Sequence, residues 1–221
     1  YISAVFFLSL VLATTLEYEY MSILSKDQTE ESLAALFGKL FVFVNVFNLI
    51  VNFFLFNRMV LNYGVRNMAL IQPMVFIAAF AYLSISMEFA AAIFGFFVVQ
   101  GLLVSIDNNN QNLLYNGIRS NIKYRVRTFI ENLGEPLAMA FSGLLLLLLN
   151  NRMSPTQIAY IGAFLAFVSL IIVLFLRSEY PKSMVKNLKA NWLDFSQKSK
   201  HLLSNLNNDE MRELNLYTQE N

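Results

Sequence analysis

The sequence predicts an all-α, polytopic membrane protein, with six transmembrane helices in residues 1–179 and a cytoplasmic amphipathic tail in residues 180–221. Three observations carry that reading: four apolar runs of membrane-spanning length, a one-sided distribution of basic residues between them, and a tail whose hydrophobic residues recur at helical spacing. The four runs are Leu40 to Phe56, Ala69 to Ile85, Phe89 to Ile106 and Ile158 to Leu176. None contains Lys or Arg, and each approaches or reaches the roughly 20 apolar residues needed to cross about 30 Å of hydrocarbon.

Taken in order, the first helix is Ile2 to Leu16, apolar but short. It starts at Tyr1, as expected if the chain opens partway through a helix, and it lacks the basic stretch and small-residue cleavage site of a signal peptide. In the second helix, Asn45, Asn48 and Asn52 are spaced by three and four, which places three amides on one face. That face either lines a translocation path and hydrogen-bonds a polar solute, or pairs with a neighbouring helix through amide bonds worth roughly 1 kcal/mol each.

The turn after the second helix, Asn57 to Asn67, contains Gly64, suited to a positive φ. Only Ser86, Met87 and Glu88 separate the third and fourth helices, so these run antiparallel side by side. Asp107 to Thr128 is the longest connection and is polar throughout. The fifth helix, Phe129 to Leu149, is long enough to span but carries Glu131, Asn132, Glu135 and Pro136 in its first half.

Arg127, Glu131 and Glu135 repeat every four residues, so an ion pair between Arg127 and Glu131 is expected. At the inner membrane boundary it either binds a charged substrate and acts as a gate, or is a helix-terminal salt bridge that offsets the burial of Glu131. Pro73 and Pro136 are expected to kink their helices. Three small-xxx-small pairs, Ala91 with Gly95, Ala138 with Ser142 and Gly162 with Ala166, mark close helix contacts. Phe53, Phe54, Phe94, Phe96 and Phe97 read as lipid-facing or packing bulk.

Tyr180-Pro181 is expected to break the sixth helix. Beyond it, Val185, Leu188, Trp192, Phe195, Leu202 and Leu206 follow the spacing of an amphipathic helix. This segment lies along the inner leaflet with its basic residues at the headgroups, docks a cytoplasmic domain or subunit through Trp192 and Phe195, or is disordered.

Charge sets the expected orientation. All but three of the sixteen basic residues, Lys26, Lys39 and Arg152, fall on the side of the C-terminus, while the first opposite segment holds Glu17, Glu19, Asp27, Glu30 and Glu31. Basic loops stay inside, so the C-terminus is expected in the cytoplasm of a bacterial inner-membrane protein. There is no Cys, and the one His, His201, lies in the polar tail. Without a thiolate or zinc ligand set, a P-loop or a glycine-rich dinucleotide turn, the chain reads as a non-enzyme with no metal and no cofactor. Its net charge of +1 averages two oppositely charged faces, and no nucleic-acid partner is expected.

Six helices, the turn Leu61-Asn62-Tyr63-Gly64-Val65-Arg66 and a polar tail resemble the C-terminal half of a major facilitator superfamily transporter, a twelve-helix fold. The family's turn typically carries an acid and a base before its Gly; here only Gly64 and Arg66 match, and the resemblance implies a gating contribution from Arg66. Gln111-Asn112-Leu113-Leu114-Tyr115-Asn116, Arg125, Arg127, Phe129-Ile130-Glu131 and Pro136-Leu137 are similar to the region around the penultimate helix of bacterial proteins related to ATP/ADP translocases. Leu16-Glu17-Tyr18-Glu19-Tyr20 resembles the end of the first helix in that group.

The resemblance implies transport of a polar, anionic or nucleotide-like solute by alternating access. Asn45, Asn48 and Asn52 would hydrogen-bond the solute, Arg127 would attract its anionic group, and Glu131 and Glu135 would hold or gate Arg127. The alternative is a transport-inactive relative that anchors or regulates a larger complex.

Overall fold

The computed structural model describes residues 2–26, 28–118 and 120–204, and at 117, 120, 121, 183, 184 and 186–204 the backbone alone. Six helices long and apolar enough to cross a membrane make an all-α integral membrane protein. They are α1 (Ile2–Leu24), α2 (Glu30–Tyr63), α3 (Val65–Ile85), α4 (Phe89–Leu114), α5 (Ile122–Asn150) and α6, whose span Pro155–Lys182 opens the longer helix Pro155–Ser204. Among the described residues there is no strand.

The helices outrun the apolar stretches that predict them. α1 extends past Leu16 to Leu24, and α4 past Ile106 to Leu114, because a helix satisfies its own backbone at the membrane boundary whatever its side chains. The connections shrink accordingly. Gly64 alone separates α2 from α3, with φ 75° and ψ 151°, a conformation that a Cβ would strain. At the start of α2 the Thr29 hydroxyl accepts from the Ser32 N–H at 3.3 Å, and Glu30 and Glu31 sit in the first turn, where the helix dipole favours negative charge.

Tyr180-Pro181 does not break the sixth helix. α6 continues through Pro181 to Ser204. A proline removes a single backbone bond, and the helix on its N-terminal side is held by packing: Val173 and Leu176 are buried with Val5 of α1, and the Tyr180 hydroxyl donates to the Leu113 carbonyl at 3.2 Å. Pro73 falls in the first turn of the α segment Ile71–Ile85, where a missing N–H leaves few bonds unmade, and Pro136 follows directly on the π-helical stretch Ile130–Gly134, whose wider turn already interrupts the α-helical bonding.

Among the described residues three stretches are π-helical: Val51–Leu55 in α2, Val98–Asp107 in α4 and Ile130–Gly134 in α5. Their wider turns rotate the residues that follow out of the α-helical register.

α1 is the hub of the bundle, packed against α4, α5 and α6. Leu12, Leu16, Tyr20 and Leu24 join Phe76, Phe80 and Leu83 of α3, Ala91, Ala92 and Phe96 of α4, and Ala159 and Ala166 of α6 in one core. The small residues let the backbones approach. A Cβ on Gly162 would come within 2.3 Å of Phe80 Cε1, and one on Gly95 within 3.4 Å of Tyr20 Cβ. Ala91, Ala138, Ser142 and Ala166 are all buried, as the spacing predicts.

α2 leans on α4 through Phe47 against Phe97, rings 4.7 Å apart. The phenylalanines divide by position: Phe96 is core, whereas Phe53 and Phe54 are 74% and 67% exposed on the face turned away from the bundle.

Candidate functional site

A cavity of about 570 Å³ opens between α1, the end of α4 and the start of α5. Phe6 and Leu10 form its apolar wall. Asn108, Gln111, Asn112 and Tyr115 come from the end of α4 and the turn that follows it; Arg127, Glu131, Asn132 and Glu135 come from α5. Membrane-protein solute sites are built in this way, from polar groups where helices are irregular and backbone lines a cavity. Both polar walls here adjoin π-helical stretches, one ending at Asp107 and one covering Ile130–Gly134.

Arg127 and Glu131 form the expected ion pair, Nε donating to Oε1 at 2.7 Å. The bond engages Nε and leaves the two Nη groups, the fork that recognises carboxylate or phosphate, outside the pair. The guanidinium also lies over the Tyr115 ring, 5.9 Å from its centroid, a cation–π contact that orients it. Burial raises the pKa of the Tyr115 phenol, the Glu131 charge raises it further and Arg127 opposes, so the ring presented to Arg127 is neutral. The side chains of Arg127 and Glu131 are 47% and 44% exposed, so the pair is open to water and to solute.

Below the cavity the polar groups continue inward. Gln111 Nε2 donates to Asp107 Oδ2 at 2.7 Å, and the Ser9 hydroxyl of α1 donates to the same oxygen at 3.3 Å. Asn110, 1% exposed, ties this end of α4 to the start of α3: oriented to satisfy both groups, its amide donates to the Val65 carbonyl and accepts from the Ala69 N–H, each at 3.1 Å.

The asparagines of α2 lie elsewhere. Asn48 donates to the Gln100 carbonyl at 3.0 Å, and Asn52 accepts from Asn109 Nδ2 at 2.6 Å, so both join α2 to α4. Asn45 is exposed, and none of the three lines the 570 Å³ cavity. The π stretch Val51–Leu55 begins just before Asn52 and interrupts the period that would align it with the others. Arg66 sits exposed in the first turn of α3, also away from the cavity. Glu135 lines the cavity beside Arg127 and Glu131. The side chains of Trp192 and Phe195 lie outside the described residues.

Two buried acids escape a reading by composition. Asp107 falls at the head of a polar connection in the sequence, yet it is 7% exposed within α4. Glu19 falls in an acidic segment expected outside, yet it is fully buried in α1, with neither carboxyl oxygen hydrogen-bonded among the described residues. Each directly follows or closely trails an apolar run, which is the only signal the sequence offers. No protein family, no curated protein and no solved structure matches this chain.

Proposed function

We propose that this protein is a membrane transporter that moves a polar solute carrying an anionic group by alternating access, with its C-terminus in the cytoplasm. The reading rests on one observation: a solvent-open cavity between three transmembrane helices in which Arg127 is oriented by Glu131 and Tyr115 while its Nη groups lie outside the ion pair. In this reading the anionic group docks on the Nη fork. The amides of Asn108, Gln111, Asn112 and Asn132 hydrogen-bond the rest of the solute, and Glu135 accepts from its donors. A nucleotide has both kinds of group.

The pair itself is built to switch. Being nearly half exposed, it is held weakly, and a solute that captures Arg127 releases Glu131 at little cost. The cytoplasmic position of the C-terminus is supported by the basic residues that cluster at that end.

Uptake of radiolabelled nucleotide into proteoliposomes containing the native protein tests the reading, with Arg127→Lys and Arg127→Ala as variants. Arg127→Ala is expected to reduce uptake at least ~tenfold, and Arg127→Lys to recover only part, because lysine lacks the planar fork. Uptake that is equal in all three would remove Arg127 from the mechanism, and uptake absent from the wild type would favour a transport-inactive anchor or regulatory subunit.

A further inference from the structure

We propose that the solute is a zwitterion, an anionic group with a cationic amine a few bonds away, and that Glu131 and Glu135 together receive the amine. The inference rests on the transport reading and names the class of solute for the same cavity. Among the described residues the charged side chains that line the cavity are Arg127, Glu131 and Glu135, one cation against two anions. Glu131 is taken by Arg127 at 2.7 Å, whereas the Glu135 carboxylate has neither a hydrogen bond nor an ion pair among the described residues. The cavity thus carries a negative charge in surplus, and it stands at Glu135. The nearby base Lys123 does not supply the missing cation: its Nζ donates to Asn116 Oδ1 at 2.6 Å, and it does not line the cavity.

A plain anion suits that lining poorly. Once its anionic group takes the Arg127 fork, Glu131 loses its counter-charge. Two carboxylates four residues apart on one helix then repel each other and the solute, with no cation between them. The π-helical stretch Ile130–Gly134 shifts their register, yet both still line the cavity. An ammonium between them offsets both charges through charge-assisted hydrogen bonds, which the neutral amides of Asn108, Gln111 and Asn112 cannot do.

Arg127 and Glu131 touch, so the two charges of the solute must lie close together, as they do in an aminoalkyl phosphate. A nucleotide offers Glu135 only neutral donors, and its uptake therefore reports the Arg127 contact and not this one. Because the cavity is open to water, each attraction is weakened without changing sign, and the result is a preference of about fivefold, the scale of an exposed ion pair.

Competition tests it: uptake of radiolabelled nucleotide into proteoliposomes containing the native protein is inhibited with aminoethyl phosphate or with propyl phosphate, which differ by an ammonium in place of a methyl. The aminoethyl compound is expected to inhibit at about fivefold lower concentration, and Glu135→Gln to remove at least half of that advantage. The comparison in the wild type needs no variant to fold. Equal inhibition by the two phosphates while nucleotide uptake still depends on Arg127, or a full advantage in Glu135→Gln, would overturn the zwitterion and leave the transport reading standing. Absence of nucleotide uptake from the wild type would overturn both.

Discussion

Gln111 Nε2 donates to Asp107 Oδ2 across 2.7 Å, and that one bond connects the wall of the solute cavity to a carboxyl buried behind it. A hydrogen bond to a charged group contributes more than one between neutral partners, and here the acceptor cannot turn to water if its donor is lost. Gln111→Leu is therefore expected to destabilise the protein by about 1–3 kcal/mol, read as a lower midpoint in denaturant-induced unfolding. A midpoint unchanged from wild type would mean that Ser9 alone satisfies Asp107.

Gly162 is irreplaceable for a steric reason. The Phe80 ring occupies the place of a Cβ, 2.3 Å away at its nearest atom, and both residues are buried. Gly162→Ala is expected to cost about 1–3 kcal/mol through overpacking. Adding Phe80→Leu to Gly162→Ala should recover part of the loss. Gly143→Ala serves as the control: nothing lies within 4 Å of its added methyl, so its stability should hold or rise.

Asn48 and Asn45 should separate by experiment. Asn48 bonds the Gln100 carbonyl of α4, whereas Asn45 is exposed. Asn48→Leu is expected to lower stability by about 1 kcal/mol with nucleotide uptake retained, and Asn45→Leu to change neither. Loss of uptake at unchanged stability in either variant would return these amides to the solute path.

Glu19 predicts a substitution of the opposite sign. Among the described residues its two carboxyl oxygens are buried and unpaired, an arrangement that opposes folding. Glu19→Leu, similar in bulk and apolar, is expected to stabilise by about 1–3 kcal/mol, measured by the same unfolding transition. A destabilised variant would reveal a partner for Glu19.

Tyr115 gives an alkaline limit. Its folded pKa lies above the ordinary 10.0, so the folded state holds the phenolic proton more tightly than the unfolded state does. The stability this contributes is complete below pH 10.0 and is lost as pH rises through the folded value. In Tyr115→Phe the alkaline fall of the thermal midpoint should become shallower; an identical fall would assign it to other groups.

How far each of these residues can be read from the sequence differs with the distance over which its role is decided. Arg127 with Glu131, Gly64, and the small-residue pairs involve neighbours within one helix turn or one residue's own sterics, and they stand where their spacing puts them. The asparagine face of α2 does not, since its period assumes an uninterrupted α-helix and the chain is π-helical from Val51. Pro181 likewise obeys a local rule that packing overrides. Asp107 and Glu19 carry only a faint local mark, their place just after an apolar run, because burial is conferred by helices distant in the chain.

Six apolar helices were determined by the sequence alone, since hydrocarbon admits only backbone that satisfies itself and side chains without charge. Which polar residues meet was decided only by the tertiary structure. The 570 Å³ cavity joins residues from Phe6 to Glu135, and a small void between α3 and α4 joins Gln72 to Asp107. Those meetings depend on how three helices rotate about their axes as they pack, and that rotation is set by close contacts such as Phe80 on Gly162 and by π turns that no periodicity announces.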